Sequence, residues 1–182
     1  PFRELPDGIS SVRISDGITV IPDHAFESCE TLVDVTLPKT VRTIGRGAFA
    51  QCVNLTQVNI PEGVTSIGDY AFLMCGSLAQ LTIPDSVTSI EGNPFRHLSA
   101  EIQVSSGNPA ISVVDGVVFN KEGTRLIACP CNKTGIYAIP EGVLEIGANA
   151  FENCNDLTEV TIPGSVVSIE GNPFDFARLE LK

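Results

Sequence analysis

The chain has 182 residues, with 11 basic and 22 acidic side chains, a formal charge of −11 and 43% hydrophobic residues. That balance disfavours nucleic-acid binding and electrostatic docking on anionic lipid, and the apolar content argues against disorder. No run approaches the roughly 20 apolar residues of a membrane helix, so no membrane insertion is expected; Pro1-Phe2-Arg3-Glu4-Leu5 is no leader, and a mature or trimmed fragment is expected.

From Ile9 onward the chain repeats itself. Pro61-Glu62-Gly63-Val64-Thr65-Ser66-Ile67-Gly68-Asp69-Tyr70-Ala71-Phe72 has near-copies starting at Pro38, Pro84, Pro140 and Pro163. A fixed period of this kind means stacked coils, each too small to fold alone. Each coil opens on an aliphatic column of Ile9, Leu32, Leu55, Leu78 and Leu157. A strand with alternating inward residues follows, its first inward column being Val12, Val35, Val58, Leu81, Tyr137 and Val160. The second inward column is Ile14, Leu37, Ile60, Ile83, Ile139 and Ile162. Proline then ends the strand, because it cannot donate to a ladder.

A second short extended piece turns Ile18, Val41, Val64, Val87, Val143 and Val166 inward, then Ile21, Ile44, Ile67, Ile90, Ile146 and Ile169; Gly45, Gly68 and Gly147 break it. The Ala-Phe step that follows, as in Ala48-Phe49 and Ala71-Phe72, predicts a short helical turn. In two coils it reads Asn93-Pro94-Phe95 and Asn172-Pro173-Phe174, where Asn as cap and Pro at the first position suit a helix start. Six aligned phenylalanines are expected to stack as an internal ladder.

Between about 99 and 133 the period breaks. Ile111-Ser112-Val113-Val114 and Val117-Val118-Phe119 flank Asp115-Gly116, a hairpin signal, and Asn120-Lys121-Glu122-Gly123 forms a second turn before Arg125-Leu126-Ile127-Ala128. A small β-meander is expected there. The end, Leu179-Glu180-Leu181-Lys182, matches Ala100 to Gln103, as though a next meander begins.

Leu157-Thr158-Glu159-Val160-Thr161-Ile162-Pro163 with Val166 and Ile169, the step Ala48-Phe49-Ala50-Gln51-Cys52 and the spacer Val113 to Phe119 together resemble the BspA-like bacterial leucine-rich repeat. The resemblance runs over nearly all of the chain from Ile9. It implies an α/β repeat solenoid, a right-handed superhelix of short strands and short helical turns with an inserted meander. It also implies an extracellular or cell-surface protein of host-associated bacteria, several relatives being adhesins. The expected organisation is a single leucine-rich-repeat solenoid over 1–182, of about six coils, with coils at about 9–98 and 134–179.

The residue types that carry chemistry fall into the repeat. Cys29, Cys52, Cys75 and Cys154 share a column with Leu98 and Ala177, so they read as packing positions holding free thiols. Cys129-Pro130-Cys131 supplies too few ligands for a structural zinc site and reads as a strand-end turn. His24 and His97 stand beside no nucleophile motif, and the acidic side chains lack calcium-loop spacing. No cofactor, no metal and no catalysis are expected.

What remains is the outward side of the strands. Its polar ladder consists of Asp34, Gln57 and Gln80 beside Thr36, Asn59 and Thr82, resuming at Glu159 and Thr161. Ser11 and Arg13 start it. These are the candidate partner-binding residues, for a host or bacterial surface protein or glycan, because solenoids use extended surfaces for binding. The alternative is a passive spacer presenting other domains, and an exposed terminal coil could pair end-to-end into a dimer.

Overall fold

The computed structural model describes residues 9–175 and 180–181. The readings placed on Pro1 to Leu5, Ala177, Leu179 and Lys182 fall outside them. The first four coils each contribute two strands: β1 (Ser11–Arg13) and β2 (Val20–Ile21), β3 (Asp34–Thr36) and β4 (Thr43–Ile44), β5 (Gln57–Asn59) and β6 (Ser66–Ile67), β7 (Gln80–Ile83) and β8 (Ser89–Ile90). Then come β9 (Glu101–Val104), β10 (Ile111–Val114), β11 (Val117–Asn120) and β12 (Arg125–Ala128). The last coils hold β13 (Gly135–Ala138), β14 (Glu145–Ile146), β15 (Leu157–Thr161), β16 (Ser168–Ile169) and β17 (Glu180–Leu181). Equivalent strands of neighbouring coils pair in parallel, β1-β3-β5, β7-β9 and β13-β15-β17 on one side and β2-β4-β6-β8 on the other. The result is a β-solenoid of about 7 turns.

The expected helical turns are not helices. No helix occurs among the described residues, and the α/β description is corrected to all-β. The backbone explains it. His24, Tyr70 and Asn149, just before the Ala-Phe step, are left-handed, and so are Ser28, Gln51, Met74, His97 and Asn153 four residues on, with φ between 55° and 60°. A right-handed helix does not pass through such residues. Hydrogen bonding alternates accordingly. Ala48, Ala50 and Cys52 donate locally to the carbonyls of Gly45, Gly47 and Phe49, while Gly47, Phe49 and Gln51 donate to Asp69, Ala71 and Leu73 of the next coil. Where Asn precedes Pro, the left-handed step moves back to Gly92 (φ 54°) and Gly171 (φ 52°), since a following proline restricts its predecessor. Asn93 Oδ1 then accepts the Phe95 N–H at 3.1 Å, a side-chain-closed turn rather than a helix cap. Gly45 and Gly68 serve closeness: a Cβ there would lie 2.5 Å from Asp23 Oδ1 or 2.6 Å from Arg46 N of the coil before.

The inward columns bury in the middle of the stack. Ile9 and Ile18 in the first coil and Ile169 in the last, expected inward, are exposed because no further coil is described beyond them, and Ile90 is only half-buried. Leu32, Val41, Ile44, Phe49, Leu55, Val64, Ile67 and Phe72 are inaccessible to solvent. Phe26, Phe49 and Phe72 stack with ring centroids 5.4 and 5.7 Å apart, and Phe151 stacks on Phe174 at 5.1 Å. The ladder is in two pieces, because Phe95 is buried but has no ring partner among the described residues.

Residues 99–133 join the stack while adding to it. β9 pairs in parallel with β7, and β12 pairs in parallel with β14, so this segment supplies both strand positions of a coil. Between them β10 and β11 form the hairpin, turning at Asp115 and Gly116, both at positive φ as its tight turn demands. A bulge in β12 lets Val118 face Ala128 and Phe119 face Leu126. β11 is buried on both sides. Val118 belongs to the core of the first four coils, Val117 and Phe119 to the core of the later ones. That is why Val117-Val118-Phe119 reads as a continuous apolar run instead of an alternating one.

Candidate functional site

The polar ladder is built by strand register. Ser11, Asp34 and Gln57 lie side by side on β1, β3 and β5, and Arg13, Thr36 and Asn59 two residues further along. Their neighbours Val12, Val35 and Val58 turn the other way, so the apolar column fixes the polar one on the outside. A groove of about 480 Å³ runs across these strands, and Asp34, Thr36, Gln57, Asn59, Gln80 and Thr82 all line it. Within it Gln57 Nε2 donates to Asp34 Oδ1 at 3.0 Å, and Ser11 Oγ donates to Asp34 Oδ2 at 3.2 Å. Asp34 is the sole carboxylate among the lining residues.

The ladder extends where the sequence reading did not place it. β9 puts Glu101 beside Gln80 and Gln103 beside Thr82, and Gln80 Nε2 donates to Gln103 Oε1 at 2.7 Å. The signal was present in Glu101-Ile102-Gln103, which alternates like every other outward strand. Glu159 and Thr161 do not join this groove. They lie on β15 in the second sheet, beside Ile136 and Ala138. Ile136 is 71% exposed, so the polar character is interrupted there.

The other chemistry-bearing residues are held structurally. All six cysteines are free thiols. Cys52 Sγ donates to the Phe26 carbonyl and Cys75 Sγ to the Phe49 carbonyl, each at 3.1 Å and each in the preceding coil. Burial, then the neighbouring thiols Cys75 and Cys29, pushes the Cys52 pKa well up; burial pushes Cys75 up to about 12. Such thiols are protonated and unreactive. The Cys129-Pro130-Cys131 segment follows β12 as a strand-end turn, and Cys129 N bonds to the Ala150 carbonyl at 2.7 Å.

His97 and Glu152 meet across the enlarged segment. Glu152, almost fully buried, takes Arg96 Nη2 at 2.6 Å on Oε1 and Arg96 Nε on Oε2. His97 Nε2 lies 2.9 Å from Glu152 Oε1, and Asn153 Nδ2 lies 2.7 Å from His97 Nδ1. Burial alone would raise the Glu152 carboxyl, but hydrogen bonds from Arg96 and His97, and their charges, outweigh it and hold it below the ordinary 4.5. Sequence reasoning missed this cluster because its members fall in freely varying columns. Arg125 likewise reaches Glu145 at 3.0 Å and Glu170 at 2.7 Å.

The family described as "BspA type Leucine rich repeat region" matches in six copies, over residues 2–122 and 129–180. Among solved structures, a leucine-rich repeat protein from Eubacterium ventriosum is 31% identical with a TM-score of 0.74, covering 92% of this chain and 51% of that one. A leucine rich cell surface protein from Faecalibacterium prausnitzii is 28% identical with a TM-score of 0.69, covering 88% of this chain and 50% of that one. The pneumococcal vaccine antigen PcpA shares the fold at a TM-score of 0.79 and 24% identity, covering 98% of this chain and 50% of that one. This chain thus spans about half the length of those proteins. No curated protein matches it.

Proposed function

The chain belongs to the BspA-type leucine-rich-repeat family, and from that premise we propose that it is a non-enzymatic, extracellular or cell-surface interaction module. The observation that carries this reading is the groove across β3, β5 and β7. Its polar side chains come from the same two positions of successive coils, so they repeat along the axis instead of converging on one reacting atom. Repetition suits a partner contacted at many points, with modest affinity from each coil. The polar lining, poor in the aromatic and arginine anchors of tight interfaces, points the same way. A surface location is supported by the relative described as a cell surface protein and by the antigen with the same fold. On this reading the protein acts as an adhesin toward a host or bacterial surface protein or glycan.

The bonds from Gln57 to Asp34 and from Gln80 to Gln103 favour a second reading, in which the ladder satisfies itself and the protein is a spacer. One experiment separates the two. The protein is titrated against immobilised matrix proteins and surface glycans, beside a triple variant Asp34→Ala, Gln57→Ala, Asn59→Ala. The adhesin reading expects saturable binding that falls at least about tenfold in the variant, with its melting temperature retained. Saturable binding that the variant leaves intact would sink the groove, and no binding to any surface would favour the spacer.

A further inference from the structure

The β2-β4-β6-β8 side of the stack follows one hydrogen-bond rule, and it is broken once. At each junction a single carbonyl accepts two successive N–H groups of the following coil. Thr19 accepts from Arg42 and Thr43, Arg42 from Thr65 and Ser66, and Thr65 from Thr88 and Ser89. Beyond the hairpin Thr124 accepts from Leu144 and Glu145, and Leu144 from Val167 and Ser168. By this rule the Thr88 carbonyl should accept from Thr124 and Arg125. Instead those two N–H groups are both taken by Asn120 Oδ1, at 2.8 Å each. Among the described residues nothing donates to the Thr88 carbonyl, and no strand pairs with the outer edge of β8.

A second observation marks the same place. Ile90 occupies the column in which Ile44, Ile67 and Ile146 are completely buried, yet it is only half-buried. A cleft of about 320 Å³ opens beside it, lined by Thr88, Ser89, Ile90, Asn120 and Arg125 among others. The cleft offers backbone acceptors, and its main nitrogen donors are already occupied. The two backbone donors on its far side are closed off by Asn120, and the Arg125 guanidinium is committed to Glu145 and Glu170. Asp69 and Glu170 line the hollow that continues from it, sharing Gly92, Arg125 and Ile127. The carboxylates of Asp69, Glu145 and Glu170 thus surround the Arg125 guanidinium, while across the hollow the Arg46 and Arg96 guanidiniums lie over the Tyr70 ring, Arg96 being bonded to Glu152.

We infer that this cleft takes an extended, basic peptide segment of a partner, which adds as a strand to the free edge of β8. Its backbone N–H groups supply what the Thr88 carbonyl lacks, an apolar side chain covers Ile90, and Lys or Arg side chains answer the local negative charge. The site is separate from the polar groove, so it stands whether or not that groove binds anything.

The full chain, labelled with ¹³C at its carbonyls, is titrated with an alternating Val-Lys heptapeptide. The comparison probes are its Val-Glu counterpart and a version methylated at its backbone nitrogens. Expected are shifts of the Thr88 and Ile90 carbonyl resonances, with apparent affinity at least about tenfold weaker for both comparison peptides. The variant Ala110→Arg, placing bulk and positive charge in the cleft, should lose the Val-Lys response. The wild-type comparison with the methylated peptide decides the matter even if that variant misfolds. Equal binding of the methylated peptide, shifts confined to Gln57 and Asn59, or no binding of any peptide at millimolar concentration would overturn the inference. So would Thr88 shifts that follow protein concentration alone, which would make a second copy the occupant.

Discussion

In the third coil the N–H groups of Thr65 and Ser66 bond to the Arg42 carbonyl of the coil before; in the enlarged coil those of Thr124 and Arg125 bond to the side chain of Asn120. The same contrast recurs between these two regions. Regular coils satisfy most of their strand backbone with the backbone of their neighbours, side chains such as Asp23 and Ser86 serving at the turns. The enlarged coil and its contacts lean on side chains: of the buried polar residues described, Asn108 lies in it, and Asn93 and Glu152 lie on the coils before and after it and help to join them. Asn108 accepts from Ala110 N and Ile111 N at 2.9 and 3.0 Å and donates to the Pro84 carbonyl at 2.9 Å. Where the period is kept, polar satisfaction comes from stacking. Where it is lost, each orphaned group needs its own partner, since an unpaired buried group costs free energy.

That contrast can be tested from both sides, and the largest effect is expected in a regular coil. Phe49→Ala removes a fully buried ring from the stack and should cost about 4 kcal/mol, read by urea unfolding. Tyr70 and Tyr137, the only two tyrosines, lie in the earlier and later coils, so single-tyrosine variants show whether the loss stays in the first half. In the enlarged coil, Asn108→Ala strands two N–H groups and a carbonyl and should cost about 2–3 kcal/mol. A loss below about 0.5 kcal/mol would refute the claim that side chains replace the ladder there.

Glu152→Gln should come next, at about 2 kcal/mol, below the usual cost of breaking a buried pair because Arg96 stays partly exposed. Its pH dependence is the sharper readout. Folding holds the Glu152 carboxyl below its ordinary 4.5, so its contribution is present above that pH and is lost as the pH falls through the folded value. The wild type should lose stability on acidification below about pH 4.5, and the Gln variant should lose less over the same range. Parallel acid limbs would rule out the lock. The smallest effect belongs to the thiols. Cys75→Ala should cost about 1 kcal/mol, and native Cys75 should resist alkylation at pH 8 until the coil unfolds.

Much of this was legible in the chain. The aliphatic columns, the outward Asp34–Gln57 and Thr36–Asn59 pairs and the Asp115-Gly116 hairpin follow from period and turn chemistry. Cysteines sharing a column with Leu98 read correctly as packing. The Ala-Phe-x-x-Cys step misled, because apolar spacing of three and four looks the same in a helix and in a turn with two left-handed residues. Asn93-Pro94 compounded this, its signals being shared by caps and side-chain-closed turns. Glu152 gave no signal, and Asn120 gave only that of a turn. Glu152 depends on Arg96, 56 residues away, and Asn120 closes a local turn onto Thr124 and Arg125 whose effect on the ladder at Thr88 shows only once the coils are stacked.

β11 sends Val118 to one core and Val117 and Phe119 to the other. Inserting a single residue in that strand would therefore exchange its two faces, swapping Phe119 into a space fitted to valine unless a further bulge restored the phase. Surface loops of this protein can drift in length one codon at a time. The hairpin can grow or shrink only in steps of two, so gaps in the sequences of its descendants should be even-numbered there and unrestricted elsewhere.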